Sequence, residues 1–370
     1  MQLHHATAMS LSAGMFLLVL ASAAGAQGSV AVPCDSAHVE RVADGVYAII
    51  HCDATDNWPH SNTGVIIGDD GVVVVDATYL PSRAVADIAL IRTLTSLPVR
   101  YLVNTHWHYD HNNGNRAYLD AYPDIAIIAH RETRRIMAST GAQYAAGYVT
   151  AAGSPTRQYL DTLRARASSG KDAKGAPLGD AARAALAVRI TQMEREQRDL
   201  AGFVPVLPTL TFDREFNIHL GRREVQLRHW GRANTPGDVA AYLPAEQVLF
   251  SGDLVVHPIP YAFNSSPVEW IETMRALEAL PVTALVPGHG AVQHDVSYVR
   301  QVRELLEYVV REVARLAGEG RTKDEARARV DLAAFRARFV GGDSSRAEMW
   351  DGSIMHALVD RAWDAARGAH

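Results

Sequence analysis

A dense group of potential metal ligands lies at positions 106 to 111, where the sequence reads His-Trp-His-Tyr-Asp-His directly after a strand-like stretch. Because His106 and His108 lie two residues apart, both imidazoles project to one side of an extended chain and can meet one cation. Asp110 and His111 lie in the tightening loop beyond and can present an oxygen and a nitrogen to a second position nearby. Imidazole and carboxylate together suit zinc best, with iron and manganese as alternatives.

Three residues further along the chain carry groups that can bind metals, namely Asn234, Asp253 and His289. Asp253 and His289 each directly follow a strand-like stretch, and Asn234 lies in the turn after another one. Loops at the ends of strands are where open α/β sheets place their binding sites. Taken alone, Asp253 is equally well explained as a cap or turn residue and His289 as a structural histidine in a Pro-Gly turn. Their occurrence together with the histidine motif favours one shared metal site.

These motifs resemble the signature of the metallo-β-lactamase superfamily, and they occur in the family's order. Residues 234–238 (NTPGD) stand where the family usually has His-Thr-x-Gly-Asp, and residues 287–290 (PGHG) look like its last histidine ligand. Residues 250–253 (FSGD) resemble the segment that carries the metal-bridging aspartate of glyoxalase II-like members. The resemblance covers roughly residues 40 to 295 and implies an α/β fold, a four-layer αββα sandwich with a metal pair at one edge. The ligands that it implies are His106, His108, Asp110, His111, Asp253 and His289.

Asn234 departs from the family pattern, because most members supply there a third histidine to the metal held by the first two. A neutral amide oxygen is a weak donor, so we expect this position to bind zinc less tightly than three imidazoles would. We therefore predict one tight Zn²⁺ site and a second, weaker one, or a single metal at the position of Asp110, His111, Asp253 and His289. His229, five residues upstream, is either a substitute ligand or a half-buried strand histidine.

The resemblance also implies roles for individual side chains in hydrolysis. A metal lowers the pKa of a bound water from ~16 toward ~7, which makes hydroxide available at neutral pH to attack a carbonyl or phosphorus centre. Asp110 would position this nucleophile or shuttle a proton, and Asp253 would bridge the metals or polarise the water. Asp238 would orient ligands from behind. His257 and Tyr261 follow Asp253 on the same loop and would line the mouth of the site, unless they serve in packing.

The substrate cannot be read from the motifs, because members of this superfamily hydrolyse β-lactams, lactones, thioesters and phosphodiesters on one fold. We predict a hydrolase of small acyl substrates, a cyclic amide or ester. Two alternatives stay open. An iron-dependent oxygenase of the persulfide dioxygenase type shares the fold but needs an intact site where Asn234 stands. A metal-binding member could instead have lost catalysis together with the third histidine. The sequence contains no GxSxG elbow, P-loop, dinucleotide-type glycine pattern or CxxC pair that would indicate other chemistry.

The elements that position these motifs follow from composition and periodicity. The chain has 370 residues, 48% of them apolar, which suffices for a large core. Strand-like runs alternate with helical ones from 45 to 129, and strand signals return from 210 to 251, which indicates an α/β architecture. Residues 131–204 are rich in Ala, Arg and Gln and predict a helical insertion, either a lid over the site or a packed elaboration. We predict a metallo-β-lactamase-like domain over 27–295 and a C-terminal helical extension over 296–370.

The charge pattern argues against nucleic acid as a partner, because a formal net charge of -5 with interspersed signs provides no basic surface. The partner that we predict is a small-molecule substrate. The sequence carries no signal for the oligomeric state.

The N-terminal residues predict export. Residues 1–26 contain no Lys, Arg, Asp or Glu, and the apolar run 11–24 ends in a small-residue pattern typical of signal-peptide cleavage after Ala26. This run is shorter than the ~20 residues that span a bilayer, so we expect no permanent membrane span and a periplasmic or secreted protein. An oxidising compartment would let Cys34 and Cys52 form a disulfide; the alternative is two unpaired thiols. Export argues against intracellular substrates such as glutathione thioesters and RNA.

Overall fold

Two β-sheets, of seven and five strands, form the centre of the computed structural model, which describes residues 37–51, 60–144 and 154–368. The first sheet contains, in spatial order, β1 (Ala37–Ala43), β2 (Val46–His51), β3 (Thr63–Ile67), β4 (Val72–Val75), β5 (Val99–Val103), β6 (Ala126–His130) and β7 (Leu210–Phe212). Strands β1 to β4 pair antiparallel, and β4 to β7 pair parallel. The second sheet contains β8 (Glu215–Leu220), β9 (Arg223–Arg228), β10 (Ala240–Leu243), β11 (Val248–Val256) and β12 (Ala284–His289).

The inner faces of the two sheets share one apolar core. Val46, Ile66 and Val75 of the first sheet belong to the same buried cluster as Leu227 and Phe250 of the second. All four valines of β4 are buried, as expected for a strand whose sheet is covered on both faces. The centre of the molecule is therefore a sandwich of two sheets.

Helices cover both outer faces. Helices α1 (Pro81–Leu94) and α3 (Asn115–Ala121) pack on the first sheet, and α7 (Pro267–Glu278) and α8 (Ser297–Gly318) pack on the second. The apolar stripe of α8 is buried in the cluster between the second sheet and its covering helices, as the spacing of the valines and leucines predicts. The predicted αββα sandwich is thus confirmed.

The predicted insertion after β6 is helical in the structure. It contains α4 (Arg131–Tyr144), α5 (Pro155–Ser169) and α6 (Asp180–Asp199). Ser154 caps α5 by accepting a hydrogen bond from the Arg157 backbone. Helices α5 and α6 enclose a small apolar cluster that includes Tyr79 and Leu80 at the start of α1. The insertion is therefore packed onto the main body at this point, and its role as a lid stays a prediction.

The C-terminal helices continue the core around α7 and α8. They are α9 (Lys323–Arg329), α10 (Ala333–Val340), α11 (Ser344–Trp350), a π-helix (Asp351–Leu358) and α12 (Val359–Ala366). The predicted capping box of α9 is present, with Thr322 and Glu325 exchanging hydrogen bonds. Because Trp350 and Ile354 belong to the same cluster as the residues of α8, this region buries its apolar surface against the second sheet's helices.

The structure corrects the prediction for Asp253 and His289, which do not follow strands. Asp253 lies inside β11, which continues to Val256, and His289 is the last residue of β12. The register between these strands shifts at Gly252, whose φ of 50° lets the strand continue past a point where it was expected to end.

Strand β1 was not predicted at all. Its alternating pattern is weak, because it lies at an edge with mostly partly exposed side chains.

Some predictions fall on residues that the structure does not describe. The leader 1–26 and both Cys34 and Cys52 lie outside the described residues. Among the helices that are described, none combines the length and the apolar character needed to cross a membrane. The predicted domain boundaries stay predictions.

Candidate metal centre

Four buried side chains from three parts of the chain converge beside the ends of the two sheets. Asp110 and His111 lie in the short helix α2 (Tyr109–Asn112), the next element along the chain after β5, while Asp253 and His289 come from the neighbouring parallel strands β11 and β12. Nε2 of His111 lies 3.3 Å from Nε2 of His289. Oδ2 of Asp110 lies 3.5 Å from the first of these nitrogens and 3.1 Å from the second. Oδ1 of Asp253 lies 3.2 Å and 3.5 Å from the same two atoms.

The donor atoms of Asp110, His111 and His289 thus form one triangle with sides of 3.1 to 3.5 Å, and Asp253 forms a second such triangle with the same two histidines. Zinc with four ligands at about 2.0–2.1 Å requires ligand atoms about 3.3–3.4 Å apart, which agrees with the observed range. Two imidazole nitrogens and two carboxylate oxygens also form a donor set that zinc, iron and manganese accept. The residues therefore fit a divalent metal in both chemistry and spacing. We call this group, made of Asp110, His111, Asp253 and His289, the tight position, and the second group described below the weak position, after the affinities that the sequence predicts.

A second group of donors lies on the other side of Asp253. Its Oδ2 is 3.6 Å from Nε2 of His106, which in turn lies 2.8 Å from Nδ1 of His108. The Asn234 amide nitrogen donates to the same Oδ2 at 3.4 Å. Asp253 thus directs one oxygen to each group, as a bridging carboxylate does. We call this second group, made of His106, His108, Asn234 and the Asp253 Oδ2, the weak position.

Asn234 has the burial expected of a ligand. Its side chain is fully buried, and its Oδ1 has no hydrogen-bond partner among the described residues. A buried carbonyl oxygen without a partner costs free energy on the order of 1–3 kcal/mol, and such groups usually have a functional explanation. A cation at the weak position would satisfy this oxygen.

Burial and charge set the protonation states of the donors. Burial lowers the pKa of His106 well below its ordinary value, and the neighbouring His111 and His108 lower it further, so its imidazole stays neutral and can donate a lone pair. Burial alone would raise the pKa of both carboxyls, but the histidines around them outweigh it. His111 and His289 hold the pKa of Asp110 and Asp253 well below the usual range. Both carboxylates are therefore ionised and available to a cation at neutral pH.

Asp76 supports the site from behind and was not identified from the sequence. Its Oδ2 lies 2.7 Å from Nδ1 of His111, and its two oxygens accept hydrogen bonds from the backbone and hydroxyl of Thr105 at 2.8 Å. The Thr105 hydroxyl lies 3.0 Å from Nδ1 of His106. Because Nδ1 of His106 contacts Thr105 and Nδ1 of His111 contacts Asp76, the Nε2 atoms of these two histidines face the cation positions. The signal was available, since Asp76 directly follows β4, the parallel neighbour of β5, and parallel strands end at the same edge.

The remaining predicted residues lie at different distances from the donors. Asp238 is buried and binds the backbone and hydroxyl of Thr235 at 2.6 and 3.0 Å, so it holds the turn that carries Asn234. Burial raises the pKa of Asp238 to about 8. The Tyr261 ring lies with its centroid 5.2 Å from that of His289.

The rings of His229 and His257 have other neighbours. His229 stacks on His130 at 4.0 Å, and its Nδ1 lies 2.8 Å from the carbonyl oxygen of Asp238, which favours a structural role over ligation. It is half-buried as predicted but lies just after β9 rather than within a strand. His257 packs against Tyr298 of α8, with ring centroids 4.9 Å apart. Its assignment to the mouth of the site stays a prediction.

Comparison with known proteins identifies the family. A family model described as the metallo-beta-lactamase superfamily matches residues 56–289, more than half of the chain, and ends on the last donor. The chain belongs to the metallo-beta-lactamase superfamily. Metallo-beta-lactamase superfamily members are metal-dependent hydrolases, and the two donor groups described above lie within the matched residues.

Relatives within the superfamily differ in what they act on. The chain is 24% identical over 289 residues to a linear primary-alkylsulfatase of Pseudomonas sp., an alignment that covers 72% of this chain and 49% of the relative. A stereoselective inverting sec-alkylsulfatase from Pseudomonas sp. superposes with a TM-score of 0.59 at 17% identity, covering 90% of this chain and 51% of that one. A metallo-beta-lactamase from Pontibacter korlensis gives a TM-score of 0.50 at 16% identity, with 74% and 99% coverage. The chain spans about half the length of the alkylsulfatases, and identities this low show the fold alone.

Proposed function

We propose that the chain is a zinc-dependent hydrolase that uses metal-activated water to cleave a small acyl substrate, a cyclic amide or ester. The observation that carries this proposal is that the donor atoms of Asp110 and Asp253 each lie 3.1 to 3.5 Å from those of His111 and His289, which are themselves 3.3 Å apart. Such spacing among buried donors of opposite charge is expected of a metal site and is unusual in an apolar core.

The chain's own residues prepare the centre for hydrolysis. Zinc, when bound, supplies a Lewis acid and lowers the pKa of a water molecule to about 7. His111 and His289 would each present Nε2 to it, and the carboxylates of Asp110 and Asp253 would offset its charge. Asp253 also links the two positions, because its Oδ1 lies beside His111 of the tight position and its Oδ2 lies beside His106 of the weak position. Tyr261 lies beside His289 and closes one side of the centre.

We also propose that occupancy of the two positions is unequal. Four charged or imidazole donors surround the tight position, whereas the weak position has Asn234 in place of a third histidine. The unpartnered Oδ1 of Asn234 supports a role for this amide as a ligand, and a neutral oxygen binds zinc less strongly than imidazole does.

Hydrolysis of a sulfate ester is a second candidate function. The alignment with the sec-alkylsulfatase covers 90% of this chain, whereas that with the compact lactamase covers 74%. A metal that polarises a carbonyl oxygen can equally stabilise charge on a sulfate oxygen. The chain spans only about half the length of that enzyme, so this activity is proposed on the shared fold and the metal centre alone.

Turnover on a substrate panel tests the proposal. The panel contains a chromogenic cephalosporin, a series of lactones and a short primary alkyl sulfate, each measured with wild type, Asp110→Ala and His219→Ala. His219 is exposed on β8 and serves as a matched control. Loss of turnover in Asp110→Ala alone supports the hydrolase. If the metal-loaded wild type cleaves none of these compounds, the hydrolase proposal fails in favour of a binding role. If Asp110→Ala retains turnover, the assignment of hydrolysis to this metal centre fails.

We further propose export, on the apolar run 11–24 and the small-residue pattern that ends at Ala26. N-terminal sequencing of protein recovered from the periplasm or the medium should begin at residue 27. Intact mass before and after reduction should then show whether Cys34 and Cys52 are paired. A protein retained in the cytoplasm with residues 1–26 attached would contradict the proposal.

A further inference from the structure

The loop between β11 and α7, residues 257–266, contacts ligands of both metal positions; we call it the site loop. It begins at the cis peptide bond His257–Pro258. It places the Tyr261 ring beside His289 and brings Oδ1 of Asn264 within 3.1 Å of Nε2 of His108. The family motifs do not include Asn264, and its partner His108 is the most exposed of the histidine donors.

The contact with Asn264 determines which nitrogen of His108 is free to bind a metal. A carbonyl oxygen can only accept a hydrogen bond, so Nε2 of His108 must carry the proton and donate it. Nδ1 then keeps its lone pair, and Nδ1 is the atom that lies 2.8 Å from Nε2 of His106. Both free nitrogens therefore face the same cation position.

The C-terminal helices hold the site loop through its main chain. Ser353, buried within the π-helix, donates its hydroxyl to the carbonyl oxygen of Pro260 at 2.5 Å and accepts from the Ala262 backbone at 2.9 Å. Arg361 of α12 donates two hydrogen bonds, of 3.1 and 3.0 Å, to the carbonyl oxygen of Phe263. Four hydrogen bonds thus fix the segment directly before Asn264.

A loop without strand partners needs such support. Apart from the His257 amide, which donates to the carbonyl oxygen of His289 at 3.1 Å, residues 257–264 form no ladder with either sheet, so their backbone groups require partners from elsewhere. The π-helix provides one partner, Ser353, and π-helical turns occur frequently at functional sites. Arg361, on the following helix, provides another.

We infer that Asn264 is a positioning residue for the weak position, which holds His108 with Nδ1 toward the cation, and that Ser353 and Arg361 hold Asn264 in place. This inference rests on the proposed metal centre but concerns residues outside the set of metal ligands. It gives the C-terminal helices a role in metal binding, although none of them contributes a donor.

The ring state of His108 can be measured without any metal. In metal-free full-length protein labelled with ¹⁵N-histidine, His108 should show the form protonated at Nε2, with its signals assigned by comparison with His108→Gln. In Asn264→Ala the signals should shift toward a mixture of the two neutral forms. Asn264→Asp, which keeps an acceptor oxygen, should restore the Nε2-protonated form. If Asn264→Ala leaves the nitrogen shifts of His108 unchanged, the inference is wrong whether or not the protein binds metal.

Metal affinity provides the second test. Cobalt(II) titration of metal-free protein, followed by its absorption bands, should show about 10-fold weaker binding at the weak position in Asn264→Ala and an unchanged tight position, since loss of such support costs 10–100-fold. Ser353→Ala and Arg361→Ala should weaken the same position, with Arg361→Lys closer to wild type. Arg367→Ala, near the end of α12 and in contact with the Trp363 ring, is the matched control.

The outcomes separate the two proposals. Cobalt binding by neither wild type nor any variant would remove the proposed function, while the nitrogen shifts would still decide the role of Asn264. Equal weakening of both positions in Asn264→Ala, or full affinity at both, would overturn the inference while leaving the metal centre standing. Thermal unfolding of each metal-free variant identifies any that fails to fold. If Asn264→Ala does not fold, Asn264→Asp still tests the inference, because it should keep His108 protonated at Nε2.

Discussion

Oδ2 of Asp76 lies 2.7 Å from Nδ1 of His111, and both side chains are buried. This carboxylate fixes the ring so that its Nε2 faces Asp110, Asp253 and His289. Asp76 adopts a left-handed backbone conformation, with φ of 63°, which is tolerated by aspartate better than by most residues but still carries strain. A strained, buried aspartate behind a histidine donor indicates that its position serves the centre.

Replacing Asp76 by alanine should therefore weaken zinc binding at the tight position. Loss of a carboxylate behind a ligating histidine costs about 10–100-fold in metal affinity, and Asp76→Asn, which keeps an acceptor, should lose less. Competition with a chromophoric chelator measures the affinity. Asp70→Ala is the control, because its carboxylate pairs with Arg100 at the surface. Equal zinc affinity in Asp76→Ala and Asp70→Ala would argue against this role.

Gly288 leaves no room for a side chain beside Asp253. A Cβ at this position would lie 2.0 Å from Oδ1 of Asp253, far inside any tolerated contact. Gly288→Ala should therefore displace the carboxylate that serves both positions and reduce zinc stoichiometry below that of wild type. Gly179→Ala, where a Cβ meets nothing within 4 Å, should leave stoichiometry unchanged. Metal analysis of the folded variants decides, and a fully loaded Gly288→Ala would contradict the bridging position assigned to Asp253.

Asn234→His should strengthen the weak position. Imidazole is a better zinc ligand than an amide oxygen, and the side chain already lies beside Oδ2 of Asp253. A zinc titration should show higher occupancy of the second metal than in wild type. Asn217→His, on the exposed side of β8, controls for adventitious binding by an added histidine. No gain over that control would exclude Asn234 from the ligand set.

The insertion should loosen as the pH rises. Burial raises the pKa of Glu196 on α6 from its ordinary value near 4.5 to about 7, although a hydrogen bond from Tyr79 partly opposes it. A raised carboxyl pKa gives stability that is complete below pH 4.5 and is lost as pH rises through 7, on the order of 3 kcal/mol. Hydrogen exchange of α6, corrected for intrinsic rates, should show lower protection at pH 8 than at pH 5. Glu196→Gln should remove this dependence, and Glu194→Gln should not.

Much of the centre could be predicted from sequence because each donor stands in a short local motif. Asp110 and His111 share one motif with His106 and His108. The residue types and spacing of this motif indicate a metal site without knowledge of the fold. The layered α/β architecture was also predictable, since periodicity distinguishes the valine-rich strands from the striped helix α8.

The parts that were not predicted depend on contacts distant in sequence. Asp76 directly follows β4, which could have placed it at the same sheet edge as the histidine motif, but nothing near it in the chain indicates that His111, thirty-five residues away, is its partner. Asn264 lies 156 residues from His108 on a loop that the C-terminal helices hold. The passage of β11 through Asp253 involves Gly252, which has a positive φ and at which a Cβ would lie 2.5 Å from the Thr105 side chain; no turn signal in the local sequence indicates this close approach.

Metal analysis of the purified protein by mass spectrometry shows whether the buried Asp and His side chains bind a divalent metal. After reconstitution we expect about one to two zinc ions per chain. This metal should be lost in Asp253→Ala and His289→Ala but kept in His219→Ala. A folded wild type that holds no stoichiometric metal would contradict the account and leave the donors as a disabled site.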